Sequence, residues 1–391
     1  MMTAERNREV WVDWMRVIAC LMVMVVHCTE PFYLGGDGAQ VLTEGDAIWV
    51  ALIDAAMRMC VPLFVLGSAY LQFPTRYSSG EFLRRRTLRI VVPFAVWSVF
   101  YALYWGEPVE NFQSLMLNFN YSAGHLWFVY MLLGVYVLIP LLSPWAKTVK
   151  KRELQVYIGI WLLTTLLPLV RDWAMTDTGA MIYGPTGIPR QALYPLWGEA
   201  SWNTYGTFYY MSGFVGFMLL GLYFRRFVPT MSARRSLLVG MPLWLVGFGI
   251  TAGGVLRRIY QTSGGDFPAL GTLDVAVWWE TTLNYDTLGV ALMTMGGMLM
   301  LRAMKQSGGV YRRIVLPLSK AGYGMYLSHM VVLSVVISWA RDMWGLGADG
   351  AFGIFTTPVQ IVGSAAITFA VVGLCSVLLQ RIPKIGKWIM G

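Results

Sequence analysis

Residues 357–380 read TPVQIVGSAAITFAVVGLCSVLLQ and contain no Asp, Glu, Lys or Arg. A helix needs roughly 20 mainly apolar residues to cross the hydrocarbon core of a bilayer, and similar blocks recur along the chain. The sequence of 391 residues is 57% hydrophobic and 13% charged, whereas a soluble domain carries about 25% charged residues. Lipid tolerates only helices or closed barrels, and these blocks are too uniformly apolar for barrel strands. The sequence therefore predicts an all-α, polytopic transmembrane helical bundle.

The apolar blocks also predict how the chain is threaded through the membrane. With the N-terminus in the cytoplasm, 24 of the 30 Lys and Arg residues lie on the cytoplasmic side and 6 on the far side. Basic residues favour the cytoplasmic side, and an even number of helices leaves both termini there. We expect a single transmembrane domain over residues 1–391. About ten helices are predicted, at 10–31, 47–73, 88–105, 124–142, 154–171, 206–224, 236–256, 278–303, 314–340 and 357–380.

The net charge of +9 does not indicate a nucleic-acid partner, because the basic residues cluster in short loops that set membrane orientation. Four cysteines, Cys20, Cys28, Cys60 and Cys375, lie inside or at the edges of apolar blocks. We interpret them as small buried hydrophobic residues and not as a disulfide framework.

The chain has three histidines, His27, His125 and His329. At 1.5 Å per residue, His27 lies roughly 25 Å and His329 roughly 22 Å from the cytoplasmic ends of their helices. His125 begins a helix that enters from the outer face, so all three are expected in the outer half of the membrane. Histidines are expensive to bury in spanning helices, and each is therefore a candidate site residue. The structural alternatives are an interfacial His125 and a His329 that bonds a neighbouring helix.

Arg16 precedes His27 by eleven residues, which is about three helical turns, so the two side chains share a face roughly 16 Å apart. Asp13 lies three residues before Arg16, and Glu30 lies three residues after His27, a spacing at which helical neighbours pair. We expect Asp13 to pair with Arg16 and Glu30 to orient the imidazole of His27. The structural alternative for Arg16 is snorkelling to the cytoplasmic surface.

Two further patterns have both a structural and a functional interpretation. Arg85, Arg86 and Arg89 lie where the third helix leaves the cytoplasm, either as a positive-inside anchor or as a phosphate-binding group. The longest outer loop, residues 172–205, ends in a segment rich in Tyr and Trp. That segment is either an interfacial aromatic belt or a stacking surface for a sugar.

Five segments in this order resemble motifs of the membrane acyltransferase-3 family. Arg16, ten residues and His27 resemble its first-helix arginine–ten–histidine motif. The sequence RMCVPLFVLGSAY at 58–70 is similar to the second-helix signature, although LGSAY stands where the family more often has ISGY. The other three segments are RRTLRIVVP at 85–93, HLWFV at 125–129 and GYGMYLSH at 322–329, which resemble the third-helix arginine motif, the His-Leu-Trp segment and the late Tyr-Leu-x-His segment.

The resemblance implies an integral-membrane O-acyltransferase of a bacterial inner membrane. Such an enzyme moves an acetyl or other short acyl group from cytoplasmic acyl-coenzyme A to a hydroxyl of a surface polysaccharide or lipid-linked sugar. The first two motifs look closest to the subgroup that O-acetylates bacterial surface glycans, including enterobacterial common antigen. The expected partners are acetyl-coenzyme A as donor co-substrate, a glycan acceptor and membrane lipids, without a metal. The phosphates of the donor would be held by Arg16, Arg85, Arg86 and Arg89.

His27 is the predicted catalytic residue, either as a general base for a sugar hydroxyl or as the acceptor of the acyl group in an acyl-imidazole intermediate. Glu30 would orient it. His125, Tyr326 and His329 are the candidates for stabilising the tetrahedral oxyanion.

Three other functions compete with this hypothesis. A transporter or flippase of lipid-linked sugars suits ten helices and buried charges, but transporters often have duplicated halves, which this sequence lacks. A scaffold protein has no reason to bury Arg16 and His27 on one face. A metal site built from the histidines is disfavoured, because each lies on a different helix and no cysteine spacing supports it.

Overall fold

The computed structural model describes residues 8–34, 39–176, 205–344, 356–383 and 386–391. These residues form α-helices joined by short loops, together with one two-stranded antiparallel sheet, β1 (Ala39–Val41) paired with β2 (Ala269–Gly271). The helices are α1 Val10–Thr29, α2 Glu44–Met57, α3 Cys60–Gln72, α4 Ser79–Tyr104, α5 Pro108–Leu115, α6 Trp127–Thr148, α7 Lys151–Thr176, α8 Phe214–Phe227, α9 Ala233–Ser263, α10 Leu273–Trp279, α11 Leu288–Leu301, α12 Leu316–Trp344, α13 Thr357–Gln380 and α14 Gly386–Met390.

The prediction of an all-α polytopic bundle is confirmed. By length and composition, eight helical segments of the described chain are able to cross a membrane, while α8 and α11 have only 14 residues each. The eight segments are Val10–Phe32, Glu44–Gln72, Ser79–Tyr104, Gly124–Thr148, Lys151–Val170, Ala233–Ser263, Tyr311–Met343 and Thr357–Gln380.

The second predicted helix, 47–73, is not continuous. α2 ends at Met57 and α3 begins at Cys60, with Arg58 and Met59 between them. Pro62 explains the break, because a proline ring lacks an N–H and clashes with the carbonyl of the residue four positions earlier, here Arg58. The break leaves Arg58 buried inside the bundle.

The predicted continuous helix 278–303 is also wrong over residues 280–287. α10 ends at Trp279, a 3₁₀ turn covers Glu280–Leu283, and α11 begins only at Leu288. The intervening Asn-Tyr-Asp-Thr segment is rich in residues whose side chains favour turns, and the Thr287 hydroxyl donates to the Asn284 carbonyl at 2.8 Å. Irregular backbone at membrane depth is tolerated where it lines a cavity, and this stretch does so.

The predicted helix 206–224 starts with a 3₁₀ turn, Gly206–Met211, and becomes α-helical only at Phe214. Gly213 separates the two parts with φ of +67°, a conformation that side chains with a Cβ rarely adopt. Its carbonyl accepts a hydrogen bond from the Trp161 indole at 2.9 Å, which fixes the turn against α7.

Glycines allow α9 and α11 to pack closely. A Cβ added at Gly247 would lie 2.4 Å from the carbonyl oxygen of Gly289, and one added at Gly240 would lie 2.7 Å from that of Gly296. Such small residues let helices approach in a membrane, where packing replaces the hydrophobic drive. α11 is thereby fixed against α9, and the irregular stretch before α11 is fixed with it.

Cys20, Cys28 and Cys60 are buried with free thiols, as predicted, but Cys375 is free and exposed. The prediction of a buried Cys375 is therefore wrong. An apolar helix at the edge of a bundle turns part of its surface towards lipid, and Cys375 lies on that part of α13. Most of the predicted outer loop 172–205, with its aromatic residues at 194, 197 and 202, lies outside the described residues.

Candidate active site

The three histidines come together in the structure. The ring centroids of His27 and His329 are 5.2 Å apart, and those of His125 and His329 are 5.1 Å apart. They reach this position from the end of α1, the 3₁₀ turn Gly124–Leu126 before α6, and the middle of α12. His329 lies between the other two and is 0% exposed.

His27 has the carboxylate partner that the spacing predicts. Its Nδ1 lies 2.9 Å from Glu30 Oε1. Glu30 begins a 3₁₀ turn directly after α1 and keeps helical dihedral angles, so its side chain stays one turn above His27. A carboxylate acts as a hydrogen-bond acceptor when ionised, which assigns the proton to Nδ1 and leaves Nε2 as the basic nitrogen.

Tyr326 is hydrogen-bonded to both of the other histidines, and a main-chain carbonyl is the acceptor in each bond. The Tyr326 hydroxyl donates to the carbonyl of His125 at 2.5 Å, and His329 Nδ1 lies 2.5 Å from the Tyr326 carbonyl. A carbonyl only accepts, so Nδ1 of His329 carries the proton and its Nε2 is an acceptor. Within the described residues, the buried Nε2 atoms of His125 and His329 have no hydrogen-bond partner.

A cavity of about 540 Å³ lies beside this cluster, within the usual range of about 300–1,000 Å³ for ligand sites. His27, Glu30, His125 and Tyr326 all line it, whereas His329 lies behind them. The remaining lining residues are Val23, Val26, Arg58, Cys60, Val61, Phe64, Trp127, Phe128, Gly213, Phe214, Glu280, Asn284, Tyr285 and Asp286.

The cavity wall includes an ion cluster that the sequence interpretation missed. Arg58 donates to both carboxylate oxygens of Asp54, at 2.6 and 2.8 Å, and its Nη2 lies 3.4 Å from Glu280 Oε1. Tyr33 donates to the same oxygen of Glu280. The sequence does contain a signal for this cluster, because a charged residue within an apolar segment, here Arg58, is a site candidate by default.

Burial is the main cause of the pKa shifts of two members of this cluster, Glu280 and Tyr33. Burial raises the pKa of the Glu280 carboxyl above its ordinary value, although Arg58 and the Tyr33 hydroxyl oppose the shift. Burial, reinforced by the negative charge of Glu280, raises the pKa of Tyr33 well above its ordinary value. The Tyr33 phenol therefore stays protonated and acts as a donor to Glu280.

None of the four predicted phosphate-binding arginines lines the cavity. Arg16 is partly buried on α1, and Arg89 of α4 is near enough for its charge to act on that of Arg16. Arg85 is exposed, pairs with Glu81 at 2.7 Å and stacks over Tyr77. Arg86 lies over the ring of Phe82 at 5.8 Å. Arg16 and Arg89 are therefore the two of these arginines whose positive charges lie close enough to repel each other.

The expected hydrogen-bonded pair of Asp13 and Arg16 is wrong. Asp13 instead accepts from both nitrogens of the Arg8 fork, at 2.6 and 2.7 Å. It also accepts from the Tyr311 hydroxyl at 2.7 Å and the Ser319 hydroxyl at 2.6 Å. The side chain of Asp13 is buried towards α12, so these four donors use its oxygens and Arg16 interacts with it only through space.

Over the described residues, no group of three or more His, Cys, Asp or Glu side chains is arranged to hold a metal ion. The Nδ1 atoms of His27 and His329 face Glu30 and a carbonyl. In both rings Nδ1 is thus engaged in a hydrogen bond.

The comparison with known families agrees with this geometry. The acyltransferase-3 family model, described as an acyltransferase domain, matches residues 9–377. The chain belongs to this family. It is therefore a multi-pass membrane acyltransferase, and every predicted site residue lies within the matched range. No curated protein and no solved structure matches the chain.

Proposed function

We propose that this acyltransferase is an O-acyltransferase of a bacterial inner membrane. It would move an acetyl or other short acyl group from cytoplasmic acyl-coenzyme A to a hydroxyl of a surface polysaccharide or lipid-linked sugar. The observation that supports this most directly is the hydrogen-bonded pair of His27 and Glu30 in the wall of the cavity. A base held in the wall of a cavity suits removal of a proton from an attacking hydroxyl.

In the proposed reaction, Nε2 of His27 takes the proton of the acceptor hydroxyl while its oxygen attacks the thioester carbonyl. The tetrahedral intermediate collapses with cleavage of the carbon–sulfur bond, which forms the ester and releases the thiolate. The imidazolium returns the proton to the thiolate, so coenzyme A leaves as a thiol. Glu30 stabilises the transient positive charge on His27, because its carboxylate faces Nδ1.

The donor would enter from the cytoplasmic side with its phosphates near Arg16 and Arg89. Arg16 and His27 lie on one continuous helix, α1, and the eleven residue steps from one to the other span roughly 16 Å. Arginine binds phosphate oxygens in a bidentate manner. A long, narrow donor arm could thus connect a phosphate site at the start of α1 with a thioester beside His27.

The group that stabilises the oxyanion stays a prediction. The Tyr326 hydroxyl already donates to the His125 carbonyl, and His329 presents an acceptor nitrogen. Tyr326 would have to exchange its present bond for one to the oxyanion, and His329 would have to be protonated. Arg58 and Asn284 also line the cavity and carry N–H donors, so they join the candidates.

The test uses membranes that contain the protein, the glycans of the source cell and radiolabelled acetyl-coenzyme A. We expect label in glycan or glycolipid with the wild type and loss of that label with His27→Ala. Glu110→Gln, a change at an exposed residue outside the cavity, serves as a control at matched expression. Absence of transfer by the wild type would refute the proposed donor and acceptor classes. Full activity of His27→Ala would refute the catalytic assignment and favour the transport alternative.

A further inference from the structure

One wall of the cavity is aromatic. The rings of Trp127 and Tyr285 are stacked, with centroids 5.7 Å apart and planes tilted by 25°. Phe214 packs against both, at 6.0 and 6.2 Å. All three residues line the cavity, and Trp127 remains 37% exposed. Aromatic rings in a cavity wall offer a large apolar contact area to whatever occupies the cavity.

A fixed carboxylate lies in the same cavity. Both contacts that Glu280 makes among the described residues, from Tyr33 and from Arg58, end on Oε1. The side chain is 27% exposed, and none of the hydrogen bonds to Glu280 from described residues ends on Oε2. Glu280 is therefore held in place by one oxygen, while the other keeps its capacity to accept hydrogen bonds.

The charge balance of the described residues around the cavity is negative. The carboxylates of Glu30 and Glu280 line it together with the guanidinium of Arg58. The charge of Arg58 is already opposed by Asp54, which accepts from it in a bidentate geometry. A ligand with its own negative charge would meet like charges at short range, whereas a neutral ligand with several hydroxyl donors would find acceptors.

We propose that the part of the cavity lined by Trp127, Tyr285 and Glu280 is the acceptor subsite and that it selects an uncharged sugar ring. The apolar face of the ring lies against Trp127 and Tyr285, one hydroxyl donates to Glu280 Oε2, and another hydroxyl reaches His27. The inference rests on the proposed function for the identity of the acceptor. Its binding component is measurable without any acyl transfer.

The experiment uses the full-length protein in lipid nanodiscs and two probes, methyl β-D-glucopyranoside and methyl β-D-glucuronopyranoside. The probes differ by a hydroxymethyl group against a carboxylate. Saturation-transfer difference NMR measures how strongly each binds. We expect the wild type to bind the glucoside about tenfold more tightly than the glucuronide, since one close like-charge contact is worth about that factor.

Glu280→Gln removes the charge and keeps an amide oxygen for Tyr33 and Arg58, so it should fold normally and lose most of the tenfold preference. Glu110→Gln, on exposed α5 away from the cavity, should keep the preference. Trp127→Leu should weaken binding of the glucoside several-fold, both alone and combined with Glu280→Gln. These changes separate the charge effect from the stacking effect.

Equal binding of the two probes by the wild type, binding of neither, or an unchanged preference in Glu280→Gln would each overturn the proposal. Binding with the expected preference in a protein that transfers no acetyl group would support the subsite and reject the O-acyltransferase function. Transfer of label to acidic sugars in native membranes would support the function and reject the subsite. The two hypotheses are thus tested separately.

Discussion

Replacing Glu30 by Gln tests whether the carboxylate beside His27 takes part in catalysis. The substitution keeps the size of the side chain and an oxygen that can accept from Nδ1 at 2.9 Å. It removes the negative charge that would stabilise the imidazolium. The Glu30 side chain forms no other hydrogen bond in the described structure, so the change in hydrogen bonding should be confined to His27.

The size of the effect follows from the geometry. A hydrogen bond to a charged group contributes about 1.5–3 kcal/mol, and each 1.36 kcal/mol corresponds to a factor of ten in rate. The side chains of His27 and Glu30 are 19% and 31% exposed, so solvent screens part of the interaction and favours the lower half of that range. We therefore expect kcat to fall roughly 10- to 50-fold, with little change in KM for acetyl-coenzyme A.

The assay is initial-rate transfer of labelled acetyl groups in membranes, with the amount of protein matched by immunoblot. Glu110→Gln is the control, because it makes the same chemical change at an exposed position outside the cavity. Retention of more than half of the wild-type kcat by Glu30→Gln would refute the reasoning. So would a change confined to KM, because that would assign Glu30 to binding and not to the transition state.

Three further predictions concern other parts of the structure. Arg16→Gln should raise KM for acetyl-coenzyme A several-fold while kcat changes little, and initial rates at varied donor concentration would contradict a phosphate role if KM stayed constant. Asp13→Asn should destabilise the fold by about 2–3 kcal/mol, because it weakens charged hydrogen bonds; an unchanged melting temperature in detergent would count against this. Acidification should weaken the preference for the glucoside, because Glu280, whose pKa is raised by burial, loses its charge as the pH falls through that pKa; a preference that stays constant from pH 8 down to the ordinary carboxyl pKa of 4.5 would exclude this role.

The sequence was most informative where a polar residue interrupts an apolar background. His27, His125 and His329 stand out because burying an imidazole in a spanning helix is costly, and the structure places them in contact. The pairing of His27 with Glu30 follows from helical spacing alone, because the backbone remains helical through both residues.

The parts that the sequence did not predict depend on breaks in helices and on long-range packing. Hydropathy averages over a window of residues. The predicted helices 47–73 and 278–303 therefore run through Pro62 and through the polar segment before Thr287. These breaks bring Arg58 and Glu280 to the cavity, although 222 positions separate them along the chain. Asp13 was misassigned for a related reason, because its partner Tyr311 lies 298 positions away and spacing rules reach only one turn.

The bond from Tyr326 to position 125 has a consequence for how this site can change. The hydroxyl is bonded to the main-chain carbonyl of residue 125 and not to its imidazole, so any amino acid at that position still provides the acceptor. Architecture and reactivity are therefore encoded separately there. Natural or laboratory variation could exchange the side chain, and with it the reactivity beside the cavity, while the link between α12 and the start of α6 is preserved.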